Sequence, residues 1–246
     1  MTQDVILQRK KHDCLDLPEK LRSLRPIDLS AADEAAYNSE IQAAVADFRR
    51  RAELGEVDPD AEVLVTLQAL RRIGSKYKAA AAIETVQELL ESGEQVIIFT
   101  EFLESAKAIA ATLGETTSVE LLTGDVESDK RQDMVERFQA GTSKAFVGTI
   151  RAGGVGLTLT AASYVIMCDR PWTPGDAEQA EDRAHRIGQK STVNAIWLQL
   201  SDIDIMIDAL LGQKQQRIDL VMSGKRKTLR GIGSINDLAK ELIAAL

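Results

Sequence analysis

Between Gln95 and Leu200 the chain repeats one pattern: a short run that is apolar on both faces, then an amphipathic stretch, then another run. The runs are QVIIFT (95–100), SVELLTG (118–124), KAFVGTI (144–150), SYVIMCD (163–169) and NAIWLQL (194–200), rich in Val, Ile and aromatic residues. Strands without a polar face must be covered on both sides, so they pair in parallel with helices above and below. FLESAKAIAATLG and DKRQDMVERFQAG supply such helices. The expected fold class is α/β, a mainly parallel sheet sandwiched by helices. The βαβα order suits a nucleotide-binding core without specifying one.

The flanks read differently. Residues 1–26 have few periodic apolar positions and carry Pro18 as a breaker, which points to an extended linker. Residues 27–92 are expected to be helical. Ser30 caps a helix with Ala35, Ala36, Tyr37, Ile41, Ala44, Val45 and Phe48 at three- and four-residue spacing, and GEVDPD ends it. VLVTLQALRRI and AAAIETVQELLESG then read as two helices stopped by Gly74 and Gly93. Residues 93–200 hold the α/β core, and 201–246 are expected to be helical at 202–222 and 235–246.

Composition excludes some classes. The chain has 246 residues, 44% hydrophobic and 28% charged, enough for one large core. No stretch of 18 apolar residues occurs, so no membrane partner is expected. Cys14 and Cys168 lie far apart without a CxxC, which indicates neither zinc nor a disulfide framework and favours an intracellular setting. The net charge is −8 and the pI about 5.0, unlike a stand-alone nucleic-acid binder. Local basic clusters exist at Arg9–Lys11, Arg49–Arg51, Arg71–Arg72 and Lys225–Lys227.

No GxxxxGK[ST] loop is present, and no group of acids follows an apolar strand to suggest a magnesium site. If the chain acts on a nucleotide, it carries half the machinery. GTIRAGGVGLTLTAAS (148–163) follows a strand, and Gly153, Gly154 and Gly156 either let backbone amides approach an anion or make a tight turn. DRPWTPGDAEQ then predicts a turn and a helix capped by Asp176, with Gln179 completing a capping box. On that helix Ala177, Ala180, Ala184 and Ile187 form an apolar stripe. Gln179, Arg183 and Arg186, at i, i+4 and i+7, form a second stripe, and Gly188 ends the helix. Two arginines on one face are either surface charges or groups presented to a phosphate.

The order of these segments resembles the SWI/SNF-type DNA translocases of the wider superfamily-two helicases. QAEDRAHRIGQ is similar to their sixth motif, VIIFTEF to the fourth, and TIRAGGVGLTLTAAS to the fifth. DRPWTPG resembles the Trp-containing turn before the arginines. LLTGDVESDKRQDMVERFQAG matches the segment after the fourth motif, with Gly124, Arg131 and Phe138 in place. LQRKKHDCLDLPEK is similar to the linker between the family's two RecA-like lobes, and residues 27–92 stand where the family has a helical protrusion. Ile150, GLT, TAAS and the arginine motif look most like the branch containing the annealing helicases.

The resemblance implies a RecA-like C-terminal lobe working with an N-terminal RecA-like lobe that holds most of the ATP and magnesium. Arg183 and Arg186 would be arginine fingers, with Gln179 linking them to the cleft, and Gly156 and Thr158 would lie near the nucleotide. Thr100, Thr123, Gly124, Thr149, Arg151, Gly153 and Gly154 would contact double-stranded DNA. Many members carry Thr where this chain has Ile150, which removes a hydroxyl from that contact. The chain alone would not hydrolyse ATP, the linker-like start favours a boundary within a longer protein, and the setting would be nucleoid or nucleus. The competing readings are a lobe of an RNA helicase or strand-separating DNA helicase, and a non-enzymatic nucleic-acid-binding module of the same fold.

Overall fold

The computed structural model describes residues 14–153, 156–222 and 235–246. Strand β1 (Lys20–Pro26) is followed by helices α1 (Ala31–Glu53) and α2 (Pro59–Glu91), then β2 (Val96–Thr100), α3 (Leu103–Gly114), β3 (Val119–Leu122) and α4 (Ser128–Gln139). Next come β4 (Ala145–Thr149), α5 (Ile150–Gly153), β5 (Tyr164–Met167), α6 (Pro174–Glu181), β6 (Val193–Gln199), α7 (Asp202–Met222) and α8 (Ile235–Ala245). The strands form one six-stranded sheet, ordered β1-β6-β5-β2-β4-β3, with every pairing parallel. Among the described residues no helix is long and apolar enough to cross a membrane.

The sandwich follows from the apolar runs. Val96, Ile98, Ala145, Val147, Ile166 and Cys168 point to one face, where Ala79, Ala82 and Val86 of α2 and Ala106, Ile109 and Leu113 of α3 cover them. Ile97, Phe99, Phe146, Val165, Met167 and Trp197 point to the other, against Phe138 of α4 and Ala177 and Ala180 of α6. From β2 the chain steps outward to β3, returns to β4, and crosses to β5 on the other side of β2. The C-terminal ends of β2, β4 and β5 therefore border a topological switch, the place where open α/β sheets form a crevice.

Two expected boundaries move. Gly74 does not end a helix, because α2 runs through it for 33 residues. A glycine inside a helix costs about 1 kcal/mol. Tertiary packing offsets this, since Leu67 and Leu70 before it and Ala79, Ala82 and Val86 after it are all buried. Residues 20–26, read as extended linker, form edge strand β1 paired with β6 from Lys20↔Val193 to Pro26↔Gln199. Ser30 caps α1 as expected, accepting from the Asp33 amide at 3.1 Å.

A buried polar cluster ties α2 to the strand ends. Asp169, just after β5, accepts through Oδ2 from Ser75 Oγ (2.8 Å), Thr100 Oγ1 (2.6 Å) and the Glu101 amide (3.0 Å). Lys78 Nζ lies 3.2 Å from Asp169 Oδ1 and 2.8 Å from Asp204 Oδ1. Burial pushes the Asp169 carboxyl up, but Lys78 and the donated hydrogen bonds outweigh it and hold it below the ordinary value of 3.8. Burial works against the Lys78 charge too, and its two carboxylates more than reverse that, leaving its pKa above 10.5.

Helix α5 is seated through Gly153. A Cβ there would fall 2.4 Å from Phe99 Cε1, so the helix approaches β2 only because Gly153 lacks one.

Lys78→Met leaves Asp169 and Asp204 buried without their shared cation and is expected to cost about 3–5 kcal/mol in urea unfolding. The Asp169 contribution is fully present above pH 3.8 and is lost as pH falls below that towards its depressed folded pKa. A melting-temperature series in acid should show this decline, reduced in Asp169→Asn. Gly153→Ala should destabilise by about 1–3 kcal/mol through overpacking, with partial recovery when combined with Phe99→Leu.

Candidate functional site

The residues singled out from the sequence gather at the C-terminal edge of the sheet and divide into two neighbouring groups. Thr100 ends β2, Thr123 and Gly124 follow β3, and Thr149, Arg151 and Gly153 belong to β4 and α5. Thr100 is fully buried, and its hydroxyl is committed to Asp169 and to the Phe102 amide, which donates to it at 3.2 Å. In this structure both of these hydrogen bonds of the hydroxyl are internal. Thr123 is buried and Gly124 exposed, in a turn held by Arg131, which donates to the Val126 carbonyl (2.7 Å) and the Gly124 carbonyl (3.1 Å). Thr149 Oγ1 accepts from the Ala152 amide at 3.3 Å, opening α5, and Arg151 projects to solvent. Gly153 is buried beneath Phe99, where close packing leaves no room for a Cβ. Gly154 lies outside the described residues, as do the basic clusters at 9–11 and 225–227.

The second group centres on α6 and the turns that follow. Its cap is Thr173, not Asp176: the Thr173 hydroxyl accepts from the Asp176 amide (3.1 Å) and donates to Asp176 Oδ2 (2.6 Å). Pro174 at the first helical position fixes the start, since its missing N–H would be unpaired there anyway. The helix also ends early, at Glu181, so Arg183 and Arg186 stand on consecutive turns rather than on a helical stripe. Ala177, Ala180 and Ala184 are buried as expected, whereas Ile187 is 70% exposed and lies outside that stripe. Gly188, at φ +104°, reverses the chain.

The two arginines converge despite the lost helix. Arg183 Nη1 and Arg186 Nη1 each donate to the Leu157 carbonyl at 3.3 Å, and Arg186 Nη1 also reaches the Gly156 carbonyl at 3.3 Å. Gly156 is exposed with φ +51°, a left-handed conformation that favours glycine, and Thr158 is half-buried in the same loop. Burial lowers the Arg183 pKa, and the neighbouring Arg186 charge lowers it further. Gln179, Arg183 and Arg186 line a hollow of about 300 Å³. Gln179 also lines a second hollow of about 500 Å³ with Glu101, Arg151, Trp172 and Asp176, so it stands between the groups.

Several side chains were not anticipated. Glu181 is fully buried, and accepts from Arg22 (Nε 2.8 Å, Nη2 3.0 Å) and Trp197 Nε1 (2.9 Å). Gln189 locks the glycine loop to the arginine turns: Nε2 donates to the carbonyls of Thr160 (3.2 Å), Ala162 (2.8 Å) and Ala184 (3.1 Å), and Oε1 accepts from the amides of Lys190 and Ser191. Arg71 stacks on Trp172, 4.1 Å from the ring centroid, and donates to the Arg170 carbonyl. Burial raises the pKa of Glu101, with Arg71 and Arg151 pulling the other way. Gln189 ends the string that carries the arginines, a sequence signal for it; the partners of Glu181 and Glu101 lie too far along the chain to leave one.

Known proteins are similar to this chain in sequence and fold. Residues 81–188 match the helicase conserved C-terminal domain. The putative ATP-dependent helicase/translocase YwqA of Bacillus subtilis is 29% identical over 89% of this chain and 26% of its own length. The DNA annealing helicase and endonuclease ZRANB3 of Mus musculus is 29% identical over 94% of this chain and 22% of its own. The chain thus spans about a quarter of these relatives. The Sulfolobus solfataricus SWI2/SNF2 ATPase core, solved in complex with dsDNA, superposes with a TM-score of 0.64 at 28% identity, over 90% of this chain and 51% of that one. With its parallel RecA-like sheet and the arginine motif at the sheet edge, the chain is similar to the C-terminal lobe of the SWI2/SNF2-type helicases.

Proposed function

We propose that the chain is the second lobe of an ATP-dependent double-stranded DNA translocase, supplying Arg183 and Arg186 to a nucleotide held by an N-terminal RecA-like lobe. The observation that carries the reading is the convergence of both guanidinium groups on one exposed loop, with Gln179 joining that hollow to the one that holds Arg151. Two cations fixed by a buried alanine face and by Gln189 are preorganised, as groups that meet charge developing on a γ-phosphate must be. The residues present fit the phosphate end of a nucleotide. Among the described residues no group of three or more His, Cys, Asp or Glu side chains is arranged to hold a metal ion. In this reading magnesium is held mainly by the N-terminal lobe.

Arg151, Thr149 and Gly124 are exposed or half-exposed at the strand ends and are the proposed contacts to the DNA backbone. Closing of the cleft on ATP would bring the arginines to the phosphates, and reopening after hydrolysis would shift one lobe along the duplex. The dsDNA complex of the similar Sulfolobus core supports duplex over RNA. With a net charge of −8, the isolated chain is expected to bind duplex only weakly.

In the two-lobed protein, Arg186→Ala should lower DNA-stimulated ATP turnover by about three orders of magnitude, measured as phosphate release. Unchanged turnover would remove the arginine assignment, and turnover by this chain alone would reveal a complete site within it. Arg151→Ala should weaken duplex binding and reduce the slope of log affinity against log salt by about 0.9, the loss of one phosphate contact. An unchanged slope would place Arg151 off the DNA.

A further inference from the structure

The segment entering β1 is fastened, residue after residue, to the turns that carry the arginines. His185 Nε2 lies 2.7 Å from the Pro18 carbonyl, and because a carbonyl only accepts, Nε2 carries the proton. Lys20 Nζ meets Asp182 Oδ1 at 3.2 Å and Glu181 Oε2 at 3.1 Å. Arg22 forks onto both Glu181 oxygens. The Val193 amide donates to the Glu19 carbonyl at 2.9 Å, which fixes where the strand begins. The fastened positions 181, 182 and 185 are thus interleaved with Arg183 and Arg186. Just upstream, Leu15 and Leu17 line the same hollow as Gln179, Arg183 and Arg186.

We propose that His185 is a positioning residue that clamps the segment Leu15–Pro18 to the arginine-bearing turns, so that the placement of Arg183 and Arg186 depends on the path of the incoming chain. The clamp rests on the arginine reading above. Its physical basis is the early end of α6. From Asp182 onward the α-helical ladder gives way to turns closed by shorter local bonds, the Arg183 and Ala184 amides donating to the carbonyls of Ala180 and Glu181, and contacts from outside add to what holds them. Gln189 does this on the side of the glycine loop, and His185 does it on the side of the linker. The contacts close a ring through the chain itself: Lys20 binds Asp182, His185 three residues further on holds the Pro18 carbonyl, and Pro18 stands two residues from Lys20. Moving the incoming chain moves this ring, and the arginines are part of the same turns. A linker that joins two lobes would thereby set the finger geometry at one end while it follows the other lobe at its far end.

The test uses the two-lobed protein with His185→Leu, which removes the donor and keeps volume, and His185→Gln, which retains an N–H on a side chain of similar reach. For H185L, kcat of DNA-stimulated ATP hydrolysis should fall roughly ten- to hundredfold, the scale of a displacement of about 1 Å in a catalytic group. KM for ATP, duplex affinity and melting temperature should stay as in the parent, amide exchange should rise in residues 14–19 and 182–187, and H185Q should recover most of kcat. Normal kcat in H185L, or equal loss in both variants, overturns the clamp. If H185L lowers the melting temperature, H185Q decides: parental kcat with parental exchange at 14–19 supports the clamp, and lowered kcat at parental stability overturns it. Arg186→Ala is measured alongside. Loss of turnover there with normal H185L removes the clamp alone, while retained turnover in R186A removes the arginine reading and the clamp with it.

Discussion

The Lys78 ammonium between Asp169 and Asp204 is the interaction on which the rest of the C-terminal edge depends. Three charges taken out of water are costly unless each is matched, and a matched set tolerates only one arrangement of its carriers. Those carriers are α2, the end of β5 and the start of α7, and Ser75, Thr100 and Ser105 extend the cluster to the end of β2 and to α3. Asp169 also receives the Glu101 amide, so the loop leaving β2 is set by the same carboxylate. One residue further, Arg170 forks onto Asp208 at 2.9 Å through both Nε and Nη2 and anchors α7 again. The loops that present Arg151, Trp172 and α6 therefore leave a frame locked by charge, while the faces of the sheet are held by apolar burial.

Much of that frame was legible in the sequence because burial on both faces leaves a mark in every residue of a strand. All five residues of β2 are buried, and the run VIIFT shows it. Strand β1 left no such mark. Its sequence KLRSLRP is exposed on most positions, with Leu21 and Leu24 at 46% and 55%, and its charges belong to an edge strand tied down by Glu181 and Glu88. Nothing local announces a strand whose partners lie about 170 residues away. Gly74 misled in the opposite direction: glycine is a poor helix residue, but burial on both sides of it decided the outcome. The start of α6 was readable in principle, since Thr-Pro fits an N-cap followed by the first helical position better than Asp176 does.

The site was legible as a set of residues and not as a geometry. Helical spacing placed Gln179, Arg183 and Arg186 on one face, and they do share one hollow, but through turns rather than a continuous helix. The cause is Glu181, whose burial against Arg22, Lys20 and Trp197 draws the end of α6 towards β1. Such a pull comes from residues 16 to 161 positions away and has no period. Thr100 shows the same limit. A threonine at a strand end suits a phosphate contact, and only the fold reveals that Asp169 already uses its hydroxyl.

If Arg183 and Arg186 are the proposed phosphate-facing pair, their resting contacts bear on how a half-site can be both ordered and available. The Arg186 guanidinium is held at 3.3 Å by the neutral carbonyls of Gly156 and Leu157, long for an N–H···O bond, no described carboxylate is bridged to it, and Arg183 shares the Leu157 carbonyl. A salt bridge here would have to be broken before a phosphate was met. A carbonyl bond gives way readily, because bonds between two ionised groups are roughly twice as strong as neutral ones. The cost of the arrangement is the mutual repulsion that lowers the Arg183 pKa after burial has already done so. An anion arriving between the two relieves that repulsion, so part of the attraction for it is built into the unliganded turns. The chain's acidic balance does not oppose this, since at 0.15 M salt fields decay within about 8 Å and the charges adjacent to the hollow dominate. What the surrounding structure must supply is position, and it does so from two sides, through Gln189 towards the glycine loop and through His185 and Glu181 towards the incoming strand.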